Sequence, residues 1–213
     1  MDRRIKYIET KWSELLAYVV GIIATDGNLS PDARHINITS KDLEMVQNVK
    51  DILHLSNTFS RKARGGSVDK KYYVLQFGSK NFYAFLLSIG LTPAKSKTIT
   101  KVLVPDKFFS DFLRGCIDGD GNVNEFRHPE SKHAQLRLTL ASASKPFLIW
   151  LLASIRRICK INGGWITKLD KKSTYLLRFG KSDSIQIFKA MYANSRRYAL
   201  QRKLAVAEKY LGE

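Results

Sequence analysis

The sequence predicts an α+β fold: two pseudo-symmetric αββαββα halves forming a saddle of two antiparallel sheets, with one motif helix from each half packed at the central interface. Three observations lead there. A twelve-residue segment occurs twice, the elements that follow it recur in the same order, and 36 Lys+Arg stand against 19 Asp+Glu. The first copy is Tyr18-Val19-Val20-Gly21-Ile22-Ile23-Ala24-Thr25-Asp26-Gly27-Asn28-Leu29. The second is Phe112-Leu113-Arg114-Gly115-Cys116-Ile117-Asp118-Gly119-Asp120-Gly121-Asn122-Val123, 94 positions on. Each is an apolar helical stretch with one internal glycine, closed by Asp-Gly-Asn.

In order, residues 12–25 read as a helix with apolar residues on nearly every face, hence buried on several sides. Asn28 to Thr39 contains Ser30-Pro31 and the basic tip Ala33-Arg34-His35, a hairpin. Ser40 is placed to cap a helix that runs to Leu53, with Leu43, Val46, Val49, Ile52 and Leu53 as its apolar stripe. A second hairpin spans Thr58 to Phe77 around a Gly65-Gly66 turn, with Arg61, Lys62, Arg64, Lys70 and Lys71 gathered near the tip. A helix from Asn81 to Ile89 closes the unit. The segment from Thr92 through Lys95-Ser96-Lys97 to Pro105 joins the halves, which divide as residues 1–100 and 101–213.

The second unit repeats the series from Phe108. Its first hairpin passes Arg127, Lys132 and Arg137, and a helix covers Phe147 to Cys159. The second hairpin carries Lys168, Lys171, Lys172 and Arg178, and helices from Ser184 and Ala199 finish the chain. Ser40 to Ser144 is 104 positions and Phe77 to Phe179 is 102, so loop lengths alone shift the offset from 94. Four elements repeated in one order mark a duplication of a unit of about a hundred residues.

A net charge of +17 with a pI near 9.9 implies a polyanionic partner. The longest apolar run, Leu15 to Ala24, is about half of what a membrane-spanning helix needs. Cys116 and Cys159 form neither a disulfide framework nor a zinc site, which points to a reducing, intracellular compartment. In each hairpin pair, polar and basic residues alternate with apolar ones such as Leu136, Leu138 and Leu140. Such sheets have one helix-packed face and one charged face, and β-ribbons of that kind fit the major groove of duplex DNA.

The chemistry rests on Asp26 and Asp120. A helix C-terminus is electronegative, so a carboxylate there is unfavourable without a compensating cation. Two related halves tend to pack about a pseudo-two-fold axis, and mid-helix Gly21 and Gly115 would let the motif helices approach closely. Asp26 and Asp120 then become neighbours whose repulsion a divalent metal relieves. Oxygen ligands select hard cations, which favours Mg²⁺, with Mn²⁺ as a substitute. Paired carboxylates on the axis of a duplex-binding saddle suit metal-assisted phosphodiester hydrolysis on both strands.

Residues Val19 to Gly27 and Leu113 to Gly121 resemble the nine-residue LAGLIDADG motif, and the whole chain resembles the two-repeat, single-chain LAGLIDADG homing endonucleases. The resemblance implies a monomeric enzyme that cuts a long, specific DNA site. It implies metal coordination by Asp26 and Asp120 with the backbone of Thr25 and Gly119, central lysines at Lys97 and Lys203, and water-organising positions near Ser40 and Ser144. The first motif departs in carrying Ala24, where the second has Asp118, and Thr25 in place of a smaller residue. Both motif acids are present, which favours an active enzyme over a non-catalytic DNA-binding protein or an RNA-binding maturase whose partner is intron RNA.

Overall fold

The computed structural model describes residues 7–63, 68–127, 134–170, 173–193 and 196–212. Its elements run α1 (Glu14–Asp26), β1 (Gly27–Leu29), β2 (His35–Ser40), α2 (Leu43–Ile52), β3 (Ser60–Lys62), β4 (Tyr72–Gly78) and α3 (Lys80–Ser88) in the first half. The second half has α4 (Phe109–Asp120), β5 (Gly121–Arg127), β6 (Ala134–Ser142), α5 (Lys145–Cys159), β7 (Trp165–Lys168), β8 (Tyr175–Phe179), α6 (Lys181–Met191) and α7 (Gln201–Leu211). Each half holds a four-stranded antiparallel sheet of the same topology, β1-β2-β4-β3 and β5-β6-β8-β7.

Both sheets obey period-two alternation. Ile36, Ile38, Leu75 and Phe77 are buried against helices in the first; Leu136, Leu138, Leu140, Leu177 and Phe179 do the same in the second. Helix α1 is buried from Leu16 to Ala24 without interruption because it lies inside the molecule, packed on α4. Among the described residues no helix is long and apolar enough to cross a membrane.

Strand register corrects one sequence pairing. Ser40 pairs with Tyr73 and Ser142 with Tyr175, each at the end of its strand. The structural counterpart of Ser40 is therefore Ser142, at the same offset of 102 that relates Phe77 to Phe179. The counterpart of Ser144, which caps α5, is Asp42 at the N-terminus of α2. Ser40 caps no helix; its hydroxyl accepts from the Asp42 amide at 3.1 Å.

Candidate active site and nucleic-acid interface

Helices α1 and α4 cross where neither has a side chain. A Cβ on Gly21 would sit 2.1 Å from the Phe112 carbonyl oxygen, and one on Gly115 would sit 2.1 Å from that of Tyr18. The two backbones are thus in contact, which only glycine allows. One turn on, a Cβ on Gly119 would meet Thr25 Oγ1 at 2.0 Å and Asp26 Oδ2 at 2.7 Å. Thr25 occupies the space that Gly119 leaves, and its hydroxyl donates back to Ile22 O at 3.0 Å. The larger residue in one motif is thereby matched by the smaller one in the other.

This crossing brings Asp26 and Asp120 to the rim of one cleft of about 510 Å³, lined also by Thr25, Asn28, Thr39, Lys62, Lys95 and Ser96. Asp26 is half-buried and Asp120 exposed. Each acid is followed by a glycine whose absent Cβ would lie within 2.8 Å of the preceding helical turn, so strand and helix meet without a spacer.

Two buried lysines close the site from behind. Lys95 is 4% exposed and Lys203 3%. Lys95 Nζ donates to the carbonyl of Gly27, and Lys203 Nζ donates to the carbonyl of Gly121 at 2.7 Å. Gly27 and Gly121 are equivalent residues of the two motifs, so Lys95 and Lys203 are dyad partners. Burial pushes Lys95 down to about 8 against the pull of Asp26 and Asp120, and pushes Lys203 down to about 8 against that of Asp118. Ala94, just before Lys95, adopts a left-handed backbone (φ 54°) unusual for a residue with a side chain.

Lys97, the lysine that family resemblance singles out, is exposed and does not line the cleft, whereas Lys95 is buried and lines it. The signal was in the sequence: Leu91, Lys95 and Ile99 recur at intervals of four, and all three are buried. Ser144 likewise does not line the cleft. It is 1% exposed, accepts from the Phe147 amide at 3.3 Å, and donates to Ile99 O at 2.5 Å. Its role is to cap α5 and anchor the segment that carries Lys95. Across the dyad, Asp42 performs the matching service through an ion pair with Arg202, beside Lys203.

The second motif helix holds a buried polar network that the first lacks. Arg114 is fully buried, pairs with Asp111 at 2.8 Å, and donates to Met191 O at 2.7 Å and Tyr198 O at 3.1 Å. Asp118 Oδ2 accepts from the Tyr18 hydroxyl and from the Leu200 amide, each at 2.9 Å. Burial raises the Asp118 carboxyl to about 6, although the Leu200 and Tyr18 hydrogen bonds and the Lys203 and Arg114 charges act to lower it. None of this reaches the cleft; it secures the C-terminal tail to α4.

Register sorts the predicted DNA contacts by face. On the open face of the first sheet lie His35, Asn37, Thr39, Gln76, Tyr72 and Lys62, with Asn28 on β1. On that of the second lie Asn122, Asn124, Phe126, Gln135, Arg137, Thr139, Arg178 and Trp165. Arg34 precedes β2 and lies against Gly78. Lys70 and Lys71 are exposed just before β4, Lys71 paired with Asp69.

Arg61, Arg127 and Lys168 fall instead on the helix-side parity, opposite Tyr73, Ala134 and Tyr175. Arg61 accordingly stacks over the Tyr73 ring at 4.5 Å. Arg64, Lys132, Lys171 and Lys172 lie outside the described residues. What charge counting missed is the amide content of the open faces, for asparagine and glutamine are the side chains that pair bidentately with adenine edges.

A family model described as a LAGLIDADG-like domain matches residues 13–90, the first of the two repeats. The first half thus carries a LAGLIDADG-like domain, and the second half repeats its sheet topology. Solved structures share the LAGLIDADG fold along nearly the whole chain. Full-length DUF199/WhiA from Thermatoga maritima aligns with TM-score 0.59 and 18% identity, covering 98% of this chain; the chain spans 62% of that protein's length. The LAGLIDADG homing endonuclease I-GzeII, in complex with its DNA target, aligns with TM-score 0.57 and 12% identity over 95% of this chain and 89% of its own. Mesophilic variants of the homing endonuclease I-DmoI align with TM-score 0.55 and 17% identity over 85% and 97%. No curated protein matches by sequence.

Proposed function

We propose that this chain is a divalent-metal-dependent, site-specific endonuclease that cuts both strands of a duplex laid across its two open sheet faces. The single observation that carries this reading is the placement of Asp26 and Asp120 on one cleft, at the end of a backbone-to-backbone helix crossing. Support comes from the DNA-bound relatives of the same fold, one of them I-SmaMI on uncleaved target in the presence of calcium ions.

The donor set fits a hard cation. Two carboxylates open onto water-accessible space, and no third His, Cys, Asp or Glu joins them among the described residues. That leaves the remaining coordination to water, substrate phosphate and the last-turn carbonyls of Thr25 and Gly119, which a helix end leaves without intrahelical partners. Mg²⁺ held there by Asp26 and Asp120 would stabilise charge on a phosphoryl oxygen and lower the pKa of attacking water.

The protein's own groups do the rest. The glycine crossing fixes the separation of the acids, and the open-face amides set register on the bases. Lys62 and Arg178 neutralise phosphates. Lys95, buried behind the acids, adds positive charge where negative charge develops on the phosphate.

The test is incubation with a randomised duplex library with and without Mg²⁺, followed by sequencing of cut ends. Wild type should cut one long site only with metal. Asp26→Asn and Asp120→Asn should retain binding and lose about a thousandfold in cleavage rate. Affinity should fall steeply with salt through release of counterions. Metal-independent retention of DNA without cuts would favour the non-catalytic reading, and preferential retention of intron RNA the maturase reading.

A further inference from the structure

The same row of side chains crosses the open face of each sheet, and register shows how the two copies differ. In the first sheet the row is Asn28, Asn37 and Gln76, three amides side by side on β1, β2 and β4. In the second it is Asn122, Thr139, Arg178 and then Trp165 on β7. Offsets of 94, 102 and 102 make the first three members equivalent. Trp165 has no such counterpart. Strand β3 begins at Ser60, opposite Val74, and so stops short of Gln76, whose carbonyl accepts from Asn57 Nδ2 at 2.9 Å.

An indole is an unexpected side chain on a charged sheet face. Trp165 is 43% exposed, and of the exposed large apolar side chains among the described residues it alone lies on an open sheet face. Its backbone is fixed from behind. Gly164, with φ 90°, lies where a Cβ would sit 2.4 Å from the Phe179 ring, so the chain enters β7 pressed onto the core. Arg156 donates to the Gly163 and Gly164 carbonyls at 2.9 and 3.0 Å. That arginine stands in the last turn of α5, a helix of 15 residues where α2 has 10. Counted from the aligned helix starts, its counterpart position is His54, past the end of α2.

A duplex laid on this face offers an exposed indole one apolar group in the major groove, the C5-methyl of a pyrimidine. Stacking on a base face instead would require unstacking the duplex, which is costly. We propose that Trp165 reads a 5-methylpyrimidine, so that one half of the target must present a methyl group that the other half need not. The proposal rests on the reading of the open faces as the duplex-binding surface. The first sheet reads base edges through its amide row by hydrogen bonding; the second adds an apolar contact. Thymine and 5-methylcytosine carry the same methyl, which is the group recognised.

The experiment measures binding without divalent metal, so that no strand is cut, on a target duplex recovered from the library selection. Each thymine is replaced in turn by deoxyuridine, and each cytosine by 5-methylcytosine. Removing the methyl that Trp165 meets should weaken binding about fourfold, at one position on one side of the cut. Where the selected base is cytosine, adding the methyl should tighten binding by the same factor. Trp165→Thr should bind the methylated and unmethylated duplexes alike while melting as wild type does. Trp165→Phe, which keeps an apolar ring, should retain the discrimination. A wild type indifferent to methyl removal and addition at every position would overturn the proposal and leave the endonuclease reading intact. So would a Trp165→Thr protein that still discriminates as wild type does. A protein that retains no duplex at all would take down both.

Discussion

The two helices that cross at the centre of the molecule answer to one motif but are built from different materials. In α1 the buried stretch Leu16 to Ala24 contains no ionisable side chain except the phenol of Tyr18. In α4 the equivalent stretch buries Asp111, Arg114 and Asp118. The 94-residue offset pairs them as Ala17 with Asp111, Val20 with Arg114, and Ala24 with Asp118. What they share, the glycine pair and the terminal acids, is what the crossing and the cleft require. What they do not share reflects what each helix must hold. Helix α4 clamps the tail that carries Lys203, through Met191, Tyr198 and Leu200. The segment bearing Lys95 is anchored differently, by burial of Leu91 and Ile99 and by the Ser144 hydroxyl.

The sharpest way to probe the shared part is to add one carbon to either side. Gly21→Ala and Gly115→Ala should each destabilise by roughly 4–5 kcal/mol or more, since the new Cβ meets backbone that cannot rotate away. Urea unfolding should give similar losses for the two; a mild effect at either would mean that the crossing is looser than described.

The unshared part comes next. Arg114→Met strands Asp111 in the core, leaves the Met191 and Tyr198 carbonyls without their donor, and should cost about 3–5 kcal/mol. Hydrogen exchange should accelerate in residues 196–212 ahead of the rest. The dyad-related Val20→Met adds volume to an apolar wall and should cost about 1–3 kcal/mol without freeing the tail. Equal tail exchange in both variants would sink the idea that α4 is the clamp.

The smallest effect is one of pH. Asp118 titrates near 6 in the fold against an ordinary 3.8. Between those values the folded state holds more protons than the unfolded chain, so stability falls as pH rises across the window and levels off above it. Asp118→Asn should remove that slope, read as melting temperature against pH. A wild-type profile that instead climbs from pH 4 to 6 would show that the hydrogen bonds from Tyr18 and Leu200 outweigh burial.

Much of this architecture was legible in the sequence, because duplication writes each element twice and alternation marks the buried face of each strand. The two acids were legible for a related reason: a carboxylate at a helix C-terminus contradicts the local dipole and so demands explanation. The lysine was harder. Lys95 and Lys97 flank Ser96, and only the buried spacing with Leu91 and Ile99 separates them. Ser40 and Ser144 look alike in sequence, since each precedes a helix; strand register alone shows that Asp42, not Ser40, is the counterpart of Ser144. Arg61, Arg127 and Lys168 were misplaced because a one-residue step along a strand moves a side chain to the other face. Charge counts are blind to that parity.

The hydroxyl of Tyr18 reaching Asp118 across the dyad carries a consequence for ancestry. Its mirror image pairs Phe112 with Ala24, so neither half contains both members of the polar pair. Set free and self-associated, the first half would offer two phenols with no acid to receive them, and the second would press two buried acids toward phenyl rings. Each repeat thus contributes one member of a buried pair that a symmetric dimer of either half would leave incomplete.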